Sequence, residues 1–82
     1  MKIHIEGNLL VITFGHKSKC YNDKIVLRRA AIAGFSTNYE DETLKIILEG
    51  AEPIWLYFAD SSAGDDALEA ATAKLQAFLS AP

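Results

Sequence analysis

Apolar and polar residues alternate from the first positions of the chain: Ile3 and Ile5 fall on one side, Lys2, His4 and Glu6 on the other. Period-two alternation marks a half-buried strand. Glu6-Gly7-Asn8 follows with turn chemistry, because Gly and Asn tolerate positive φ. Leu9 to Phe14 is a short apolar run of strand formers, and the two segments together predict an N-terminal hairpin. Gly15 to Asp23 predicts a polar loop, and Lys24 to Leu27 resumes a strand. Arg28-Arg29-Ala30-Ala31 fits either one helical turn or a continued strand. Ile32 to Tyr39 predicts a strand in which Gly34 marks a bulge or a close approach, and Asn38 to Glu42 an acidic hairpin loop.

The pattern is clearest from Glu42 onward. Leu44, Ile46 and Leu48 share one face of a strand, and Ile54, Leu56 and Phe58 one face of the next. A loop of Gly50-Ala51-Glu52 would pair Leu48 with Ile54, Ile46 with Leu56 and Leu44 with Phe58. A slip by one residue would set Lys45 opposite Leu56 and mix the faces, which buried sheets select against. Pro53 then opens a strand, where a missing N–H is tolerated. Asp60, Ser61 and Ser62 are candidate N-caps, and Ser62 with Asp65 resembles a capping box in which Asp replaces Glu. Asp65, Asp66 and Glu69 suit the positive end of a helix dipole. Leu68, Ala71, Leu75, Phe78 and Leu79 form a single apolar stripe, predicting a helix from about Ala63 to Leu79 that packs on the apolar face of the hairpin.

The expected fold is α+β: an antiparallel meander of about five or six strands packed against one C-terminal amphipathic helix, with residues 1–82 as one domain. Chains of this length rarely divide, since domains commonly run ~100–150 residues. Through Leu44–Leu48, Ile54–Phe58 and the helix, this outline resembles a truncated pleckstrin-homology-like domain, in which strands in hairpin succession are closed by a C-terminal helix. The usual domain is longer, with seven strands, and often carries a tryptophan on its helix; here Trp55 is on a strand.

Composition narrows the class. Half of the residues are apolar, enough for a core. The single cysteine, Cys20, leaves no internal disulfide framework and fits a reducing compartment. The first residues alternate too strictly for a signal peptide, and no stretch approaches the ~20 apolar residues of a membrane span. A cytoplasmic location is expected. The net charge of −3 hides a split. Residues 1–39 carry six Lys and Arg against two acids, while residues 40–82 carry two Lys against nine acids. The acidic total argues against a dedicated nucleic-acid binder, but the basic half can form a local positive patch.

Candidate chemistry is sparse. His16 and Cys20 lie four apart in a predicted loop, short of the three or four ligands that zinc needs. Cys20 lacks an evident base and orienting group for nucleophilic catalysis. Ser61 and Ser62 are explained by capping. Glu40-Asp41-Glu42 and Asp65-Asp66 lack the oxygen spacing of a calcium loop. No catalytic residue, metal site or cofactor is expected.

Two surfaces remain. Lys17, Lys19, Arg28 and Arg29 lie in a basic segment spanning residues 16–29, with Tyr21 among them. A basic loop between early strands often binds anionic lipid headgroups in pleckstrin-homology domains, so the resemblance implies a phospholipid headgroup as ligand; the positive charge alone would also suit nucleic-acid phosphate. Ile47, Trp55 and Tyr57, with Lys45 opposite Tyr57, form the second face of the C-terminal hairpin. Either the N-terminal strands curl over and bury these aromatics, or they stay exposed and mark an interface. The expected function is a non-enzymatic protein-interaction module, self-associating or part of a larger assembly, with a protein partner or a second copy as its target. Anionic-ligand binding is the alternative.

Overall fold

The computed structural model describes residues 1–14, 24–58 and 64–80. It shows an α+β fold of six strands in two antiparallel sheets and one C-terminal helix. The polar loop before Asp23, with His16, Lys17, Lys19 and Cys20, lies outside the described residues, as do the N-cap candidates Asp60, Ser61 and Ser62.

The first sheet has the order β1 (Lys2–Glu6), β2 (Leu9–Thr13) and β3 (Lys24–Arg28). The turn between β1 and β2 is Gly7-Asn8, with Gly7 at φ 60. Positive φ at the first of two loop residues is the geometry that matches the twist of a tight hairpin, and glycine adopts it without steric strain. Pairing of Ile3 with Ile12 and Ile5 with Leu10, and of Leu10 with Leu27 and Ile12 with Ile25, puts one apolar set on the inner face. Val11 points the other way, between His4 and Val26, and is still buried because β2 is the central strand.

A single 3-10 turn, Arg29–Ala31, then breaks the chain direction and starts the second sheet. The meander therefore divides in two, with no pairing between β3 and β4. The second sheet has the order β4 (Ile32–Asn38), β5 (Thr43–Leu48) and β6 (Ile54–Tyr57). The register of β4 on β5 shifts between Ile32 and Gly34, leaving Ala33 as the extra residue of a bulge, where the glycine predicted one. At the β4–β5 turn, Asn38 Oδ1 accepts the N–H groups of Glu40 and Asp41, an Asx turn that closes the acidic loop.

The β5–β6 register corrects the sequence expectation. Leu44 pairs with Leu56, Lys45 with Trp55 and Ile46 with Ile54. Each partner is two residues from the one expected, and the connection runs over residues 49–53, with Gly50 at φ 69. Alternation fixes only the parity of a pairing. A slip of two keeps every side chain on its face, so the apolar pattern could not detect it.

Helix α1 (Gly64–Ser80) matches its predicted span to within one residue at each end. Leu68, Ala71, Leu75 and Phe78 are buried, and Leu79 packs beside them. They meet Leu44, Ile46 and Leu56 from the second sheet, Phe58 just after β6, and Leu10 and Ile12 from the first sheet, so both sheets and the helix share one core. The helix packs on β1, β4 and β5. Thr72 Oγ1 donates to the Leu68 carbonyl at 2.8 Å and lies 3.0 Å from Thr37 Oγ1 of β4. Lys74 Nζ donates to the Ile3 carbonyl of β1 at 2.8 Å.

Candidate interaction surface

The second sheet turns its inner face to the core and leaves most of the outer face of β5 and β6 exposed, with Thr43 at its end buried. Alternation puts Lys45, Ile47, Trp55 and Tyr57 on that face. Trp55 is 48% exposed, Tyr57 68% and Ile47 38%. The first hairpin does not cover them: its inner residues Leu10 and Ile12 go to the common core instead. Strand β4 contributes Ser36 opposite Lys45 and Gly34 opposite Ile47, so no bulky side chain shields the face from that side.

The register correction changes the neighbours within this surface. Lys45 was expected beside Tyr57 and Ile47 beside Trp55. In the structure Lys45 pairs with Trp55, and Thr43 pairs with Tyr57. Lys45 Nζ stands 5.1 Å from the centroid of the Trp55 ring, within reach of a cation–π attraction.

The basic segment divides differently. Lys17 and Lys19 lie outside the described residues. Arg28 is exposed on the outer face of β3, in line with Leu9 and Glu6 across the sheet. Arg29 is half-buried, and its Nε donates to the Phe78 carbonyl at 2.9 Å. The structure therefore does not bring Arg28 and Arg29 together as one surface. Sequence reasoning missed the structural role of Arg29, because its partner is a backbone carbonyl on the helix and no side-chain pattern announces it.

His4 Nε2 lies 3.1 Å from Glu6 Oε1, within hydrogen-bond distance on the exposed side of β1. No group of three or more His, Cys, Asp or Glu among the described residues is placed to hold a metal ion. No helix among them is long and apolar enough to cross a membrane. Comparison with known proteins finds no matching family model, no matching curated protein and no matching solved structure.

Proposed function

We propose that this chain is a non-enzymatic, cytoplasmic protein-interaction module of pleckstrin-homology-like build, and that it self-associates through the outer face of β5 and β6. The observation that carries this reading is the exposure of Trp55 and Tyr57 two residues apart on one sheet face, with Ile47 on the same face of β5. Contiguous exposed apolar area is uncommon on a monomer and usually marks a contact surface. Trp and Tyr are enriched among the residues that dominate binding energy. The fold-family part of the reading rests on element order alone: hairpin strands in two sheets, then a closing helix.

Sedimentation across a concentration series tests it. The mass should rise with concentration, and Trp55→Ala should weaken association by about 2 kcal/mol or more. The same change should move monomer stability by only about 0.5 kcal/mol, since the indole is half-exposed. A monomer at every concentration, strongly destabilised by Trp55→Ala, would refute self-association.

A second reading, binding of an anionic ligand, is favoured by the exposure of Lys2, Lys24 and Arg28 together on the outer face of the first sheet. Lys17 and Lys19 belong to the same reading by sequence. Its affinity for vesicles of anionic lipid should fall steeply between ~50 and ~200 mM salt. Binding that ignores salt would count against it.

A further inference from the structure

The open edge of β6 belongs to the same two residues as the open face. Phe58 N–H donates to the Glu42 carbonyl at 2.9 Å. Hydrogen-bonded and non-hydrogen-bonded pairs alternate along an antiparallel ladder. With Phe58 and Glu42 bonded, Leu56 with Leu44 and Ile54 with Ile46 are the bonded pairs, and Trp55 with Lys45 and Tyr57 with Thr43 are the others. The backbone N–H and C=O of Trp55 and Tyr57 therefore point away from β5, along the outer edge of the sheet. No backbone hydrogen bond of the described residues reaches them.

The remaining sheet edges carry features that discourage strand pairing. At β1, Lys74 already occupies the Ile3 carbonyl. Edge strand β3 holds Lys24 and Arg28, both exposed. A bulge at Ala33 interrupts β4. Charges, bulges and covering elements are how native sheets blunt their edges. Strand β6, Ile54-Trp55-Leu56-Tyr57, has no charge, no proline and no bulge.

We infer that a second copy of this chain adds its β6 to this edge, antiparallel, about a two-fold axis at Leu56. The edge is self-complementary. Trp55 and Tyr57 each offer one donor and one acceptor, two residues apart. Across a two-fold, Trp55 of one copy meets Tyr57 of the other, and the relation repeats on the far side of Leu56. Both pairs exchange backbone hydrogen bonds, and the two sheets join into one of six strands. The same register sets each indole beside a phenol on the outer face, where cross-strand aromatic pairs attract. A two-fold contact of like surfaces is the commonest way in which identical chains associate. This inference rests on the self-association reading and adds its geometry.

Amide hydrogen exchange on the unaltered chain, read by NMR in dilute and concentrated solution beside sedimentation, tests it. The amides of Leu56 and Phe58 bond to β5 and should be protected at both concentrations. Those of Trp55 and Tyr57 should exchange freely when dilute and slow by about tenfold or more when concentrated, as their hydrogen bonds form between copies. Tyr57→Pro removes an N–H from the outer edge only, so it should give a folded monomer. A mass that doubles while the Trp55 and Tyr57 amides stay unprotected would overturn strand addition and leave self-association standing through another surface. A monomer at all concentrations, with both amides unprotected, would overturn both.

Discussion

Arg29, on the turn between the two sheets, donates from Nε to the Phe78 carbonyl at 2.9 Å and holds its guanidinium 4.7 Å from the centroid of the Phe78 ring. Phe78 lies in the last turn of α1, whose final carbonyls have no partner within the helix. The helix carries no basic residue of its own in that turn. Arg29 supplies the cation that the negative end of the helix dipole favours, from a residue 49 positions away. Arg29→Ala should lower stability by about 1.5–3 kcal/mol in a urea titration, the range for a hydrogen bond to a charged group. Arg29→Lys should recover only part of this, because the ammonium cannot reproduce the planar donor. A loss below about 0.5 kcal/mol would show the contact to be idle.

Leu75 is only 1% exposed and lies at the centre of the helix stripe. Leu75→Ala should destabilise the fold by about 2–5 kcal/mol, through lost transfer energy and the cavity left behind. In a fold with a core this small that approaches the whole stability, so thermal melting should shift strongly or the chain should not fold. An unchanged melt would mean that the stripe is not in the core.

Thr72 has one hydroxyl proton, and the Leu68 carbonyl can only accept it. Thr37 must then donate to Thr72 across the 3.0 Å gap. Thr72→Val should strand the Thr37 hydroxyl and destabilise by about 1 kcal/mol or more. The double change Thr37→Val with Thr72→Val should destabilise less than the two single changes together, as measured in a double-mutant cycle. Strict additivity would show that the two hydroxyls are not coupled.

Glu42 closes the β4–β5 turn at φ 54, a left-handed conformation that disfavours a side chain. Glu42→Gly should raise stability in a urea titration by about 0.5–1 kcal/mol, net of the added freedom of the unfolded chain. The gain should appear without loss of the fold of β6, because the change keeps the Glu42 carbonyl that accepts the Phe58 N–H.

The parts of this fold that were legible in the sequence are those set by periodicity. Leu68, Ala71, Leu75 and Phe78 announced the buried side of α1, and Leu44, Ile46 and Leu56 the inner face of the second sheet. Gly34 marks a bulge or a close approach in the sequence, and the structure has the bulge beside it, at Ala33. Periodicity assigns faces, and it says nothing about what covers them. Whether Trp55 was buried or open depended on where Leu10 and Ile12 would go, a contact between distant segments that no local pattern encodes. The two-residue error in the β5–β6 register has the same origin, since both pairings keep Leu44 and Leu56 on one side. Arg29 was read as surface charge because a basic residue beside Arg28 looks solvated; its true partner appears only when the helix end is in place.

The shared core has a consequence for synthesis. Leu10 and Ile12 emerge from the ribosome early, yet the helix residues that cover them, ending with Phe78, are made last among the core positions. At ~5–20 residues per second, the strands wait on the order of several seconds for their lid. Through that interval the apolar inner faces of both sheets lack the helix, and the Ile3 carbonyl on the β1 edge lacks Lys74. The nascent chain is thus most vulnerable to clumping just before the helix is made, and a messenger truncated ahead of the helix codons would leave it in that state.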